Sequence, residues 1–304
     1  MVACLFGAVA AHADAEGAVF TMTNATDGNK IVVFSRDANG ILTKSQEVAT
    51  GGNGAGGGVD PLGSQGSLLL SNGSAHSNSD GEWLFAVNAG SNDISVFRVN
   101  HDGVELQQRI GSGGIFPVSL TVSDNTVYVL NDGAPANISG FKLDHNGHLA
   151  YISGSTRSLG DGAFGQVAFS PKGDALVVTD KANSKLLVFP VHKDGLPTPT
   201  PVVSASSGNV PFGVTFDKQG HLLAVEAGSN AVSSYNLNQD GSLQTITASA
   251  ANGQKATCWI VVNQRGDIIT SNPGTQSLST FHVEAATGQV SLRNATAAAS
   301  NGCV

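Results

Sequence analysis

The sequence predicts an all-β protein, a β-propeller of four-stranded blades with about six repeats in view. Three observations predict it. A turn pair recurs every 44 to 48 residues from Gly103 onward. Each later period holds four strand-like runs. The composition counts 38 glycines in 304 residues and only 12% charged side chains, which favours turns and short strands over helices.

The recurring pair follows a strand that ends in an aromatic. It reads Phe34 then Asn39-Gly40, Phe97 then Asp102-Gly103, Phe141 then Asn146-Gly147, Phe189 then Asp194-Gly195, Tyr235 then Asp240-Gly241, and Phe281 then Thr287-Gly288. Asn, Asp and Gly tolerate the positive φ of a tight hairpin. A β-sandwich would show turn signals without this long period. A single blade cannot bury both faces, so stacking around an axis is required.

In chain order, Val2 to Ala11 form an apolar run of ten residues, too short to span a bilayer. Ala11-His12-Ala13 and Ala13-Asp14-Ala15 follow it. This predicts a secretory signal over residues 1–15, cleaved near Ala13 or Ala15, and one propeller domain over 16–304. The first unit has three runs, Ala18–Thr23, Lys30–Ser35 and Leu42–Val48, and lacks an innermost strand. The Gly51–Gly58 run has no Lys-Ser/Thr and precedes no helix, so it is read as a flexible loop rather than a phosphate loop. The third unit runs Val118–Val122, Thr126–Leu130, Ser139–Leu143 and Ala150–Gly154. The fourth runs Gln166–Ser170, Ala175–Thr179, Lys185–Val191 and Pro201–Ser206, with a Pro171–Gly173 turn joining its first two strands. After the outer run at 298–304 no closing strand is visible. The expectation is a seven-bladed design, incomplete at its C-terminus.

The net charge of −8 and the lack of a basic stripe argue against nucleic acid and against anionic membranes. Asn24, Asn72, Asn137 and Asn294 head Asn-x-Ser/Thr sequons, which agrees with secretion. Cys4 would leave with the signal, so Cys258 and Cys303 remain as the pair for an extracellular disulfide. No Cys/His cluster has metal-ligand spacing, and no cofactor is expected.

The units Trp83-Leu-Phe-Ala-Val-Asn-Ala-Gly-Ser-Asn-Asp-Ile-Ser-Val-Phe97 and Val167-Ala-Phe-Ser-Pro-Lys-Gly173 resemble the lactonase-type seven-bladed propellers. That family includes bacterial 6-phosphogluconolactonases and fungal 3-carboxy-cis,cis-muconate lactonizing enzymes. Gly17-Ala-Val-Phe-Thr-Met-Thr-Asn24 and the stretch before Asp60-Pro61 resemble secreted fungal carboxymuconate-cyclase-like members. The resemblance covers roughly Gly17 to Asn294. It implies a His, a Glu and Arg residues at the channel mouth, suited to anionic lactones and to proton transfer.

Those residues are missing where the resemblance would place them. Gly162-Ala163-Phe164-Gly165 stands for a Pro-His-x-His pattern, and Pro211-Phe212-Gly213 for Pro-Arg-His. Lys185 stands for an Arg, Glu226 is offset by one residue from the expected acid, and Asn272-Pro273-Gly274 replaces Asn-Arg-Gly. The inner-strand starts carry Gln65, Phe116, Phe164, Phe212 and Trp259. They read either as blade-to-blade core or, with Gln166, Lys185 and Glu226, as an apolar pocket with a few polar groups.

Two functions follow. One is a secreted, monomeric lactonase-like propeller glycoprotein whose catalytic His and Arg positions are lost, binding a small molecule or carbohydrate. The other is a lactone hydrolase or 3-carboxymuconate cyclase-like enzyme with a rebuilt site at Glu226 and Lys185.

Overall fold

The computed structural model describes residues 17–58, 60–71, 82–100 and 103–299. Apart from one 3-10 turn at Pro273–Thr275, every regular element in it is a strand.

The strands form six antiparallel sheets in chain order. Blade 1 holds β1 (Gly17–Met22), β2 (Lys30–Arg36) and β3 (Leu42–Ala49). Blade 2 holds β4 (Leu68–Leu70), β5 (Glu82–Asn88), β6 (Asp93–Asn100) and β7 (Gly103–Gly111). Blade 3 holds β8 (Pro117–Ser123), β9 (Thr126–Asn131), β10 (Asn137–Leu143), β11 (Leu149–Tyr151) and β12 (Arg157–Ser158). Blade 4 holds β13 (Phe164–Phe169), β14 (Ala175–Asp180), β15 (Lys185–Pro190) and β16 (Val202–Ala205). Blade 5 holds β17 (Pro211–Phe216), β18 (Leu222–Glu226), β19 (Ala231–Leu237) and β20 (Leu243–Ala251). Blade 6 holds β21 (Trp259–Val262), β22 (Ile268–Asn272), β23 (Ser277–Val283) and β24 (Val290–Ala299).

The predicted three-stranded first unit is present, and the fourth unit's strands fall within a few residues of the expectation. The third unit differs. Its outer strand is split, with β11 and β12 both pairing β10. Between them the Ser155 hydroxyl accepts from the Gly140 amide (3.0 Å) and donates to the Gly140 carbonyl (3.3 Å). A side chain thus replaces one rung of the ladder.

The recurring turns have a cause three residues before the glycine. Asp37 accepts from the amides of Asn39 and Ile41 (2.9 and 2.8 Å), and Asp144 accepts from those of Asn146 and His148 (both 2.8 Å). Asp217 and Asn263 do the same in the first hairpins of blades 5 and 6. These Asx turns bring the chain round to a glycine with φ near +81° to +92°, a conformation costly for a residue with a Cβ.

The cores lie between blades, as stacking requires. Phe85, Ile94 and Val96 of blade 2 pack on Leu120, Val129 and Phe141 of blade 3. Tyr128 and Ile138 of blade 3 pack on Phe164, Val178 and Phe189 of blade 4. The same holds between blades 4 and 5, 5 and 6, and 1 and 2. All six residues of β14 are buried, whereas β24 is exposed along most of its length.

Candidate functional site

Inner strands start at one end of the ring, the mouth, and the first hairpin of each blade lies at the other. Hairpins joining second to third strands return to the mouth. The described histidines, His145, His148, His192, His221 and His282, therefore fall at the end opposite the mouth.

The second strand of each complete blade ends toward the mouth on a buried polar residue: Asn88, Asn131, Asp180, Glu226 and Asn272. Asn88 donates to Asp93 (2.7 Å) and Ser95 (2.9 Å) and accepts from Thr50 (2.7 Å). Asn272 is tied in the same way to Thr257 and Ser279. Glu226 is the blade 5 version. Its Oε1 accepts from the hydroxyls of Ser233 (2.7 Å) and Ser206 (3.1 Å) and from the Gly208 amide (2.7 Å), and its Oε2 accepts from Ser249 (2.5 Å). It is 0% exposed. The structure thus places Glu226 inside a buried fold node. Lys185 is exposed at the start of β15, and the two are not brought together.

The predicted aromatics pack between blades. Phe164 lies wholly in the blade 3–4 core and Phe212 in the blade 5–6 core, while Phe116 contacts the cores on both sides of blade 3. Gln166 stitches β13 to β17, its Oε1 accepting from the Val214 amide (2.6 Å). Of the two readings of these residues, their packing matches the blade-to-blade one. Cys258 is buried; Cys303 and Asn72 lie outside the described residues.

Gln65 does something sequence reasoning did not foresee. The segment before β4, where Gln65 is expected to start an inner strand, lies across the axis. The Gln65 amide donates to the Gly165 carbonyl of blade 4 (3.0 Å). Its side chain accepts from the Ile260 amide (2.9 Å) and donates to the Ile260 carbonyl (3.0 Å) of blade 6, imitating a strand rung. The Trp259 indole donates to the Ser64 carbonyl (3.1 Å), the Ser64 hydroxyl to the Val118 carbonyl (2.7 Å), and the Leu120 amide to the Gly66 carbonyl (2.9 Å). Three other blades therefore hold Ser64–Gly66. Register shifts at the mouth ends of β8, β13 and β17 are β-bulges, which turn backbone groups out of the ladder and leave the Gly165 carbonyl to receive Gln65.

Beside this crossing sits Lys181, one residue past the blade 4 node. Its ammonium donates to the Gly63 carbonyl and lies 5.0 Å from the Phe212 ring centroid, within cation–π range. Burial holds its pKa below the ordinary lysine value, against the charges of Asp132 and Asp60. The Asp60 and Asp132 carboxyls are pushed above the usual carboxylate value, again chiefly by burial. Asp132 accepts from the Phe164 amide (2.7 Å) and Asp60 from the Gly63 amide (3.0 Å). Lys181 could have been found in the sequence by asking which residue follows each second strand, since that position faces the mouth.

The mouth therefore presents one ammonium and two half-buried carboxyls, with the buried Phe212 ring beneath the ammonium. Among the described residues no group of three or more His, Cys, Asp or Glu is placed to hold a metal ion, and no helix is long and apolar enough to cross a membrane.

Consecutive four-stranded antiparallel sheets, packed face to face around one axis, define a β-propeller. The chain belongs to the lactonase family of seven-bladed β-propellers, whose model matches residues 27–158 and 166–302. Solved structures share the fold. A Lactobacillus plantarum protein superposes with a TM-score of 0.73 at 14% identity, covering 93% of this chain and 82% of that one. A putative 6-phosphogluconolactonase from Bacteroides uniformis gives 0.71 at 12% identity, with the same coverage. The periplasmic gluconolactonase of Pseudomonas aeruginosa gives 0.66 at 14%, covering 90% of this chain and 80% of that one. Comparison with curated proteins gives no match.

Proposed function

We propose that this chain is a secreted, monomeric lactonase-family propeller that binds a small, neutral, hydroxyl-rich molecule at the mouth, a sugar or sugar lactone, without turning it over. The observation that carries this reading is the set Lys181, Asp60 and Asp132 beside an axis already crossed by Ser64–Gly66. One ammonium against two carboxyls does not suit a phosphorylated or polycarboxylate substrate, which needs several cations. It does suit hydroxyl groups, which donate to carboxylates and accept from an ammonium. The names of two structural neighbours, a 6-phosphogluconolactonase and a gluconolactonase, make sugar lactones the first ligands to try.

Hydrolysis of a neutral sugar lactone is the second reading. The raised Asp60 and Asp132 carboxyls favour it, because a carboxylate of higher pKa is a better general base. The enzyme reading with Glu226 as its acid gains no such support, since that carboxylate is wholly buried and both oxygens are engaged within the fold.

Two assays on one sample separate the readings: hydrolysis of glucono-1,5-lactone above its spontaneous rate, and calorimetric titration with neutral monosaccharides. Saturable binding weakened at least tenfold in Lys181→Met, with no added hydrolysis, is the expected result. Turnover lost in Asp132→Asn establishes the hydrolase instead. Absence of both binding and turnover overturns both.

A further inference from the structure

The described sequons at Asn24, Asn137 and Asn294 look alike in sequence and differ sharply in three dimensions. Asn24 is half-buried and both ends of its side-chain amide are engaged. Its Nδ2 donates to the Gly56 carbonyl (3.1 Å) and its Oδ1 accepts from the Ala55 amide (2.9 Å), lacing the segment after β3 onto the loop after β1. Asn137 belongs to the blade 3 node. Its Oδ1 accepts from Asn131 Nδ2 and from the Ser139 hydroxyl, both at 3.0 Å. Ser139, the hydroxyl residue of that sequon, is 0% exposed. The Asn137 Nδ2 donates to the Pro135 carbonyl (3.4 Å), and a Cβ built on Gly114 would stand 2.6 Å from that nitrogen, so the Gly114 backbone passes close beside it.

Asn294 differs in each respect. It is exposed on β24, the outer strand of blade 6, whose far edge pairs with no other described strand. The ladder slips on both sides of it, with register shifts flanking the Thr280–Asn294 pair, and such a bulge re-aims side chains. Its Oδ1 accepts from the amide of Thr296, the third residue of its own sequon (3.0 Å). This turn leaves Nδ2 without a protein partner and facing solvent.

We propose that Asn294 carries an N-linked glycan in the secreted protein and that Asn24 and Asn137 do not. The inference rests on the secretory reading above. The step joins Asn294 Nδ2 to C1 of an oligosaccharide borne on a polyprenyl diphosphate. The C1–O bond to the diphosphate breaks, the diphosphate leaves, and the amide gives one proton to a base of the transferase. Chains modified at Asn24 or Asn137 before folding could not make the contacts just described and would not reach the folded pool. On β24 the glycan also guards an exposed edge strand, a feature that otherwise invites pairing with another chain.

The test is occupancy mapping of the full chain made in a yeast secretory host, once behind its own N-terminus and once behind a proven secretion signal. Folded monomer is treated with peptide-N-glycosidase in H₂¹⁸O and digested. Label is expected at Asn294 in most molecules and at Asn24 and Asn137 in almost none. Secretion only behind the foreign signal fails the secretory reading, and the site assignment is still decided on that sample. An unlabelled Asn294, or label at Asn24 or Asn137 in folded monomer, overturns the assignment. Unglycosylated bacterial protein supplies the structural arm. Asn294→Gln leaves Tm unchanged, while Asn137→Gln lowers it by about 4 °C, the shift expected for a lost buried bond in a domain of this size. Equal Tm for the two variants overturns the argument from burial.

Discussion

Blades 4 and 5 end their second strands on acids at equivalent positions, and the two ends do opposite things. In blade 5 the chain reads Glu226-Ala227, and the carboxylate is wholly buried and met by four donors. In blade 4 it reads Asp180-Lys181. There the acid is tied to the neighbouring Asn183 (2.8 Å), and the next residue puts an ammonium at the mouth. The longer Glu side chain reaches into its own blade, and the small Ala227 after it adds nothing at the mouth. The lesson is that an acid at a propeller strand end is not evidence of an active site. What counts is whether its oxygens are open to a ligand, and at Glu226 both are engaged by the fold and the residue is wholly buried.

The contrast breaks most visibly at Glu226. Glu226→Ala leaves three hydroxyls and one amide without their acceptor around a wholly buried carboxylate position. Removing one partner of a buried, charge-assisted network costs several kcal/mol, here about 3 to 5, so urea denaturation should show a midpoint far below that of the wild type. Glu226→Gln keeps two lone pairs but adds donors where only donors face it, and should fall in between. If Glu226→Ala is as stable as wild type and has lost ligand binding, the carboxylate belongs to the site and the comparison between the blades collapses.

A smaller effect is expected at the axis. Gln65→Ala strips the side-chain rung from Ile260 and leaves that residue's amide and carbonyl unpaired, while the backbone bonds of Ser64–Gly66 to blades 3 and 4 survive. The expected loss is about 1 to 3 kcal/mol. Amide exchange at Ile260 should rise with little change at Val178 in the middle of β14. Uniform loosening of all blades would show that the crossing does not tie blade 6 in particular.

Much of this architecture was legible in the sequence. The blade period could be read because each hairpin is closed by local chemistry, an Asx turn and its glycine, that needs no distant partner. Strand limits in blade 4 were legible for the same reason: the apolar stretches Val167–Phe169 of β13 and Ala175–Val178 of β14 flank the Pro171–Gly173 turn. The site was less legible. Gln65 meets Ile260 across 195 positions of chain, and nothing near Gln65 signals that its amide will serve as a strand rung. The glycines from Gly51 onward looked like freedom, yet Gly54 and Gly90 are small so that two backbones can touch: the Gly54 amide donates to the Ala25 carbonyl (2.7 Å) and the Gly90 amide to the Asn53 carbonyl (3.0 Å). Lys185 drew attention as the stand-in for an arginine, but it is exposed, and Lys181, four residues earlier, is the lysine that meets the crossing segment. The partners of Lys181, Gly63 before β4 and Phe212 of blade 5, lie far from it in the chain.

The finest test of the contrast is pH. Burial lifts the Asp60 and Asp132 carboxyls above their ordinary value of 3.8, so the folded state holds these protons more tightly than the unfolded chain. Between 3.8 and the raised folded values, stability therefore rises as pH falls, opposite in sign to a carboxylate stabilised by an ion pair. Lys181, depressed from 10.5 by burial, works the other way round: just below 10.5 the unfolded chain holds the extra proton, and stability rises with pH. Both slopes say that the mouth tolerates its charges rather than drawing stability from them. In Asp132→Asn the acid-side contribution should shrink, so the stability of the wild type relative to the variant should climb as pH is lowered from about 6 to about 4. Paired urea melts at each pH read this difference directly. A difference that falls with pH would mean that Asp132 is held ionised by Lys181 as a structural ion pair. The blade 4 end would then be a fold node like Glu226, and the mouth would lose its claim to a ligand.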